Sequence, residues 1–149
     1  MYAQRVKDRQ KPQKNESVPD SPKKFEHKRS LGQNFLTSGV VPNWMVEASG
    51  IKAEDTVLEI GPGTGMLTKA LLTTGATIVA VEADIRAIEQ LQITFAEAIL
   101  ARKLKLFHGD AREITPASLG LTDHNFKVVA NIPYYLSGFL LRTLLESPI

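Results

Sequence analysis

The chain has 149 residues, 43% of them hydrophobic, with ten glycines and eight prolines. This composition is typical of one globular domain and excludes collagen-like and wholly disordered chains. The absence of cysteine excludes disulfide frameworks and thiolate zinc sites, and the three histidines lack the spacing of metal ligands. No apolar run approaches the roughly 20 residues that span a bilayer, and the first residues lack a hydrophobic signal core. We expect a monomeric cytoplasmic protein without a metal.

The charge is unevenly distributed. Residues 1–30 carry nine Lys or Arg against four Asp or Glu, which gives +5, whereas residues 31–149 carry nine against twelve, which gives −3. Residues 1–24 contain three prolines and almost no large apolar side chain, so they cannot bury enough surface to offset the entropy of ordering. We predict a basic, flexible arm at 1–24, which either contacts nucleic-acid phosphates or is only solvated.

The first predicted element after Phe25 is a helix that runs to Ser49, because Gly50 favours a left-handed helix end. Its apolar face is predicted to consist of Val41, Trp44, Met45 and Ala48. Strands are predicted from their apolar, β-branched runs at Thr56–Ile60, Ala76–Val81, Lys103–His108 and Phe126–Ala130. Helices are predicted at Thr64–Thr74, from the Asp84 cap through Ile85, Ile88, Leu91, Phe95 and Ile99, and at Ser137–Glu146.

This alternation of strands and helices predicts an α/β fold, with a parallel sheet, right-handed crossovers and helices on both faces. The chain stops soon after the helix that follows the fourth strand, which leaves that strand as an apolar sheet edge. Such edges are normally paired or covered. We therefore expect residues 25–149 to be the N-terminal part of a longer domain.

A glycine-rich loop, Gly61-Pro62-Gly63-Thr64-Gly65, connects the first strand to its helix. Open α/β sheets bind ligands at this place, where glycines let a cofactor approach the backbone. The spacing is G-x-G-x-G instead of the G-x-G-x-x-G of pyrophosphate sites, and no P-loop lysine follows. The loop favours a nucleoside cofactor without phosphates, although a strand-to-helix turn can be glycine-rich for structural reasons alone.

Two acidic residues follow the next two strands. Glu82 lies 21 residues after Gly61, where a carboxylate can accept hydrogen bonds from ribose hydroxyls. Its alternative role is that of a helix-capping or solvated glutamate. Asp110 can accept a hydrogen bond from an adenine amino group, or it can be an ordinary turn residue.

The segment Asn131-Ile132-Pro133-Tyr134 follows the fourth strand and is the most informative one. An amide oxygen of Asn131 that accepts a hydrogen of a base amino group makes the nitrogen more nucleophilic. Pro133 has no amide hydrogen, so neighbouring carbonyls can face a substrate, and Tyr134 offers a ring on which an extruded base can stack. The alternative is a turn that ends the strand, with Tyr134 as a core aromatic.

Together, these motifs resemble the ribosomal RNA adenine N6-dimethyltransferase family, which includes the kasugamycin-resistance enzyme of the small subunit and the erythromycin-resistance methylases of the large subunit. The resemblance covers about residues 25–149, and its motifs are highly specific in combination. They are KRSLGQNFL at 28–36, EIGPGTG at 59–65, Glu82, Gly109-Asp110-Ala111 and NIPYYLSG at 131–138.

The resemblance implies a Rossmann-like fold that binds S-adenosylmethionine and two successive methyl transfers to one adenine. By resemblance, Gln33, Asn34 and Leu36 fold over the cofactor, Gly61 and Gly63 lie against its methionine part, Glu82 and Asp110 hold its ribose and adenine, and Asn131 touches both cofactor and base. Tyr134 is implied to stack the base. Family members continue with further strands and a small helical domain that helps to bind RNA.

Three alternatives remain beside the predicted substrate, the ribosomal RNA of an immature small subunit. The first is a large-subunit methylase of the antibiotic-resistance type, and the preference for the small subunit rests only on how common housekeeping members are. The second is action on DNA adenine or on a small molecule. The third is a family member that binds RNA or DNA without catalysis, against which intact Glu82, Asn131 and Tyr134 argue.

Overall fold

The computed structural model describes residues 39–121, 125–132 and 137–142. The helices are α1 (Val40–Ser49), α2 (Met66–Leu72), α3 (Ile85–Thr94) and α4 (Ala96–Leu100). The strands are β1 (Thr56–Ile60), β2 (Thr77–Glu82), β3 (Leu104–His108) and β4 (Lys127–Ala130). A 3₁₀ turn covers Ala117–Leu119, and residues 137–142 are helical. The predicted arm at 1–24 and the segment at 28–36 lie outside the described residues.

The four strands form one sheet in the order β3-β2-β1-β4, and every pairing between neighbours is parallel. Ile60 at the end of β1 is level with Val81 of β2 and Ala130 of β4. All four strands therefore end at the same edge, which we call the carboxyl edge. The predicted parallel sheet is confirmed.

The sheet is covered on both faces because alternate strand residues point to opposite sides. One face carries buried Val57, Ile78 and Ala80, against which α1, α2 and α4 pack through Met45, Leu71 and Ile99. The other face carries Leu58, Ile60, Val79 and Val81, which pack against Leu119, Leu121 and Leu140. The predicted placement of covering segments on both faces is thus confirmed.

The predicted apolar face of α1 is confirmed at Met45 and wrong at Val41, Trp44 and Ala48. Trp44 is 63% exposed and Val41 42% exposed, and Ala48 is also exposed. The inward side is formed by buried Pro42 together with Met45 and Val46, which pack against the core. Apolar residues at consecutive positions make two neighbouring helical stripes equally hydrophobic, so periodicity alone does not choose between them.

Two predicted helices are shorter than expected. The helix predicted at Thr64–Thr74 begins at Met66, because Gly65 adopts a left-handed conformation with φ of 80°, and it ends at Leu72. The helix capped by Asp84 is interrupted at Phe95, whose φ of −114° and ψ of 27° are not helical. The cap itself is confirmed, since the Arg86 N–H donates to the Asp84 carboxylate at 3.0 Å.

Strand boundaries differ from the prediction by one residue at four places. β2 runs from Thr77 to Glu82, one residue later than predicted at both ends, and the Ala76 N–H donates to the Thr74 hydroxyl at 3.2 Å in the preceding turn. β3 begins after Lys103, whose N–H donates to the Ala98 carbonyl in α4. β4 begins one residue after Phe126, whereas β1 agrees with the prediction.

Of the last predicted helix, residues 137–142 are helical and 143–149 lie outside the described residues. Within the described ranges, no helix is both long and apolar enough to cross a membrane.

Candidate cofactor and base site

The carboxyl edge brings the predicted site residues of the described chain together. The Gly61 N–H donates to the Val81 carbonyl and the Gly109 N–H to the Glu82 carbonyl, both at 2.9 Å. These bonds continue the sheet pairing one residue past the strand ends. Asn131 directly follows Ala130, which is paired with Ile60. The glycine loop, Glu82 and the segments that begin at Gly109 and Asn131 therefore share one edge.

The glycines of the loop differ in what surrounds them. Gly61 has a φ of 68°, and a Cβ placed on it would meet no atom of the described residues within 4 Å. Gly65 has a φ of 80°, and its Cβ would lie 2.5 Å from Cε2 of Phe95 and 2.8 Å from Cδ2 of Leu91. Gly61 thus leaves open space for a ligand beside the backbone, whereas Gly65 allows α2 and the α3–α4 junction to pack closely.

Glu82 is 3% exposed and connects the glycine loop to the start of α3. Its Oε2 accepts a hydrogen bond from the Gly63 N–H at 3.0 Å, and its Oε1 accepts one from the Asp84 N–H at 2.9 Å. Each carboxylate oxygen has two lone pairs, so each retains capacity for one further donor such as a ribose hydroxyl. Burial excludes the solvated glutamate that was one alternative for Glu82. Its two hydrogen bonds hold the loop and the start of α3 in place, and its contact with a ribose stays a prediction.

Glu59 is a functional candidate that the sequence did not single out. Its side chain is fully buried, and its Oε2 accepts a hydrogen bond from the Thr68 hydroxyl at 2.7 Å. Oε1 has no hydrogen-bond partner among the described residues. Burial raises the pKa of Glu59 to about 8, and the charge of Glu82 contributes to the increase. The only signal in the sequence is an acidic residue inside an otherwise apolar strand, directly before the glycine loop.

Asp110 forms a turn just beyond β3. Its carboxylate accepts hydrogen bonds from the backbone N–H of Arg112 at 2.9 Å and from the Arg112 guanidinium at 2.5 to 3.0 Å. The hydrogen bonds from Arg112 hold the pKa of this carboxyl below its ordinary value. The turn role considered for Asp110 is confirmed, and its contact with adenine stays a prediction. The sequence did not indicate the part played by Arg112.

The base side of the site is described in part. Asn131 is half-buried at the end of β4, and Ile132 packs against the core on the face that holds Leu140. Tyr134, Gln33, Asn34 and Leu36 lie outside the described residues. Among the residues that are described, no group of three His, Cys, Asp or Glu side chains has the arrangement of a metal site. The catalytic and cofactor roles of these residues remain predictions.

The comparisons with known proteins agree with this geometry. The model of the ribosomal RNA adenine dimethylase family matches residues 24–149. The chain belongs to this family. Two relatives, both named ribosomal RNA small subunit methyltransferase A, are about equally identical to this chain. The one from Deinococcus radiodurans is 38% identical over 120 residues, which is 80% of this chain and 39% of the relative. The one from Corynebacterium diphtheriae is 40% identical over 79% of this chain and 40% of the relative.

Solved structures of family members have the same fold. A dimethyladenosine transferase from Plasmodium falciparum matches with a TM-score of 0.62 and 28% identity, over 76% of this chain and 39% of that one. The 23S rRNA methyltransferase ErmE matches with a TM-score of 0.66 over 77% of this chain and 44% of that one, and its 24% identity supports the fold alone. The predicted family and its Rossmann-like methyltransferase fold are confirmed. The chain spans about 40% of the length of the curated relatives it matches.

Proposed function

We propose that this chain is the cofactor-binding part of an S-adenosylmethionine-dependent enzyme that dimethylates N6 of adenine in small-subunit ribosomal RNA. The observation that carries the proposal is the convergence at the carboxyl edge. There, the open backbone at Gly61, the buried carboxylate of Glu82 and the amide of Asn131 lie at the ends of adjacent strands of a family member.

The described residues fit a nucleoside cofactor. Gly61 leaves room beside the backbone, and both oxygens of Glu82 retain a lone pair for the ribose hydroxyls. Asp110 lies two residues past β3 and next to Gly109, whose N–H donates to the Glu82 carbonyl, and by family resemblance its carboxylate binds the adenine. Gln33, Asn34 and Leu36 complete the cofactor site in this proposal. S-adenosylmethionine, when bound, supplies an electrophilic methyl group.

Asn131 and Tyr134 act on the target adenine. The amide oxygen of Asn131 accepts a hydrogen bond from the N6 amino group and so favours a pyramidal nitrogen with an available lone pair. Tyr134 stacks the extruded base, a contact that aromatic side chains make with bases of any sequence. Catalysis then comes from positioning and hydrogen bonding, without a covalent enzyme intermediate.

The name of the relatives supports the small subunit as the substrate, since both are called ribosomal RNA small subunit methyltransferase A. The target is then the RNA of an immature small ribosomal particle in the cytoplasm. The basic residues of the arm at 1–24 add salt-dependent affinity for RNA phosphates. The enzyme works as a monomer.

The test measures methyl transfer by the full-length product of the gene, from labelled S-adenosylmethionine to immature small and large ribosomal particles, with the modified base identified by mass spectrometry. The Deinococcus radiodurans relative serves as the positive control. Dimethyladenine in the small particle supports the proposal, and dimethyladenine only in the large particle assigns the chain to the antibiotic-resistance type. Cofactor binding without transfer to either particle, while the control is active, would favour a binding protein that has lost catalysis.

A further inference from the structure

The carboxylate of Asp110 is engaged by Arg112 through four contacts. Oδ1 accepts from the backbone N–H at 2.9 Å and from Nε at 3.0 Å. Oδ2 accepts from the same Nε at 3.0 Å and from Nη2 at 2.5 Å. An ionised carboxylate has about four lone-pair positions for donors. Arg112 therefore uses the accepting capacity of Asp110, the group that the proposed function assigns to the cofactor's adenine.

The geometry points to Arg112 as a residue that sets cofactor affinity and base selectivity, because its guanidinium competes with the adenine amino group for the Asp110 carboxylate. This inference rests on the proposed cofactor site. To accept a hydrogen bond from the amino group, Asp110 must release at least one guanidinium N–H. The Arg112 side chain is 58% exposed and that of Asp110 is 30% exposed, so water screens their ion pair, and the exchange of one guanidinium N–H for the adenine donor changes the free energy little.

The orientation of Asp110 does not depend on the guanidinium. The backbone N–H of residue 112 holds Oδ1, and the Asp110 carbonyl accepts from the Glu113 N–H at 2.9 Å, which closes the turn. Both bonds persist when the side chain at 112 is changed. Replacement of Arg112 by an uncharged residue of similar length therefore frees accepting positions on a carboxylate that stays in place.

A second pair in the same chain has the same local geometry. Asp84 accepts from the backbone N–H and from Nε of Arg86, both at 3.0 Å, and from Nη2 at 2.6 Å. The Arg86 side chain is 50% exposed, close to the exposure of the Arg112 side chain. Asp84, however, caps the N-terminus of α3 and is not assigned to the adenine. Arg86→Met is therefore a matched control for the loss of one charge and one Asp-Arg pair.

The test measures the Kd of S-adenosylhomocysteine, and of its counterpart with unsubstituted purine in place of adenine, for the 149-residue chain by calorimetry. The unsubstituted purine has neither the 6-amino group nor an N1–H, so this edge of the base cannot donate to Asp110. Arg112→Met is expected to bind the adenosine compound about two- to fivefold more tightly than the unchanged chain, the range typical of exposed ion pairs. Its affinity for the purine compound is expected not to increase. Arg86→Met should leave both affinities unchanged.

Weaker or unchanged binding of S-adenosylhomocysteine by Arg112→Met would overturn the inference and leave the cofactor site intact. Equal tightening for both compounds, or the same tightening in Arg86→Met, would also overturn it, because the gain would then not involve the 6-amino group. Failure of the unchanged chain to bind S-adenosylhomocysteine at all would instead reject the proposed cofactor. The proposed competition between Arg112 and the adenine amino group would then be rejected as well.

Discussion

The Gly63 N–H donates a hydrogen bond to Oε2 of Glu82 at 3.0 Å, so the residue predicted to hold the ribose also holds the loop on which the cofactor lies. The other oxygen of Glu82 accepts from the Asp84 N–H. A single buried carboxylate thereby fixes the loop after β1 relative to the start of α3. Ligand affinity and local order are coupled through this side chain.

Glu82→Ala should reduce both cofactor affinity and stability. The substitution leaves the N–H groups of Gly63 and Asp84 without their acceptor, and an unsatisfied buried donor costs about 1–3 kcal/mol. Urea unfolding and S-adenosylhomocysteine binding should both detect the change, while RNA affinity should be nearly unaffected. Glu82→Gln, which keeps one oxygen as acceptor, should lose less stability. Unaltered cofactor affinity in Glu82→Ala would contradict the ribose assignment.

Glu59 should make the stability of the chain depend on pH. Its pKa is raised from 4.5 to about 8 in the folded chain, so the folded state holds a proton that the unfolded state has lost. The stabilising contribution is fully present below pH 4.5 and is lost as pH rises through about 8. The free energy of unfolding should fall over this window by up to about 1.4 kcal/mol per pH unit.

Glu59→Gln is uncharged at every pH and should not show this decline. Urea unfolding at pH 5, 7 and 9 measures the free energy of unfolding of each protein. The control is Glu89→Gln, which changes an exposed glutamate on α3. The unchanged chain and the control should lose stability between pH 5 and pH 9 relative to Glu59→Gln. Parallel pH profiles for all three proteins would mean that Glu59 is ionised in the folded chain.

The strands could be predicted from sequence because their signals are local. The run Thr56–Ile60 is β-branched and bounded by a glycine turn, and it agrees with β1 at both ends. The direction of the α1 face could be predicted only in part, since Trp44 and Val46 on either side of Met45 are both apolar and only packing against the sheet chooses between them. The interruption at Phe95 likewise follows from a tertiary contact, in which its ring lies against Gly65.

The site was predicted by residue type and position, and its internal contacts were not. Glu82 was expected at the end of the second strand, but its bonds to Gly63 and Asp84 depend on a loop conformation that no local pattern specifies. Glu59 appears in sequence only as an acidic residue in a strand, and its raised pKa requires burial by surrounding elements. Contacts of this kind join distant segments and become visible only in three dimensions.

Alanine substitutions should separate the roles of the glycines. Gly61, Gly65 and Gly120 all have φ between 68° and 80°, so each substitution carries the left-handed penalty of about 1–2 kcal/mol. The methyl group of Gly120→Ala meets no atom of the described residues within 4 Å, so this variant measures that penalty. Gly65→Ala should be less stable by a further 1–3 kcal/mol or so, because the new methyl group overlaps the ring of Phe95. Thermal unfolding of the variants measures these differences in stability.

Gly61→Ala should match Gly120→Ala in stability but lose cofactor affinity, since its methyl group enters the open space beside the loop. Adding Phe95→Leu to Gly65→Ala should recover part of the lost stability. If Gly65→Ala were no less stable than Gly120→Ala, the close packing at Gly65 would not limit the fold. If Gly61→Ala bound the cofactor normally, Gly61 would not line the site.

Lys127 should stabilise the connection between α1 and β1. Its ammonium group donates to the Gly50 carbonyl and to Oδ2 of Asp55, both at 2.8 Å. The hydrogen bond from Lys127 lowers the pKa of Asp55 below its ordinary value of 3.8. This stabilising contribution is therefore present above that value and is lost as pH falls through the lowered pKa.

Asp55→Asn should reduce the free energy of unfolding at neutral pH. It should also reduce the loss of stability that the unchanged chain shows as the pH falls, as measured by urea unfolding between pH 2 and pH 6. Lys127→Met should destabilise the chain at neutral pH more than Lys105→Met, which removes an exposed lysine from β3. Equal effects of the two lysine substitutions would mean that the loss of positive charge, and not the contact with Gly50 and Asp55, determines the result.

In the complete protein, Asn131→Ala should abolish most methyl transfer while the protein remains folded. Asn131 follows β4 at the carboxyl edge, level with Gly61, and only its amide oxygen is assigned to the target amino group. Loss of one such hydrogen bond in a transition state costs about 10²- to 10³-fold in rate. The change is measured as dimethyladenine formed per unit time on immature small particles. Asn125→Ala, an exposed asparagine at the opposite end of β4, is the control and should keep full activity. Tyr134→Ala should weaken base capture by about 1–3 kcal/mol, the range for a stacked base, and so raise KM for the particle. Full activity in Asn131→Ala would exclude the amide from the reaction and leave positioning by the rest of the site as the source of the rate.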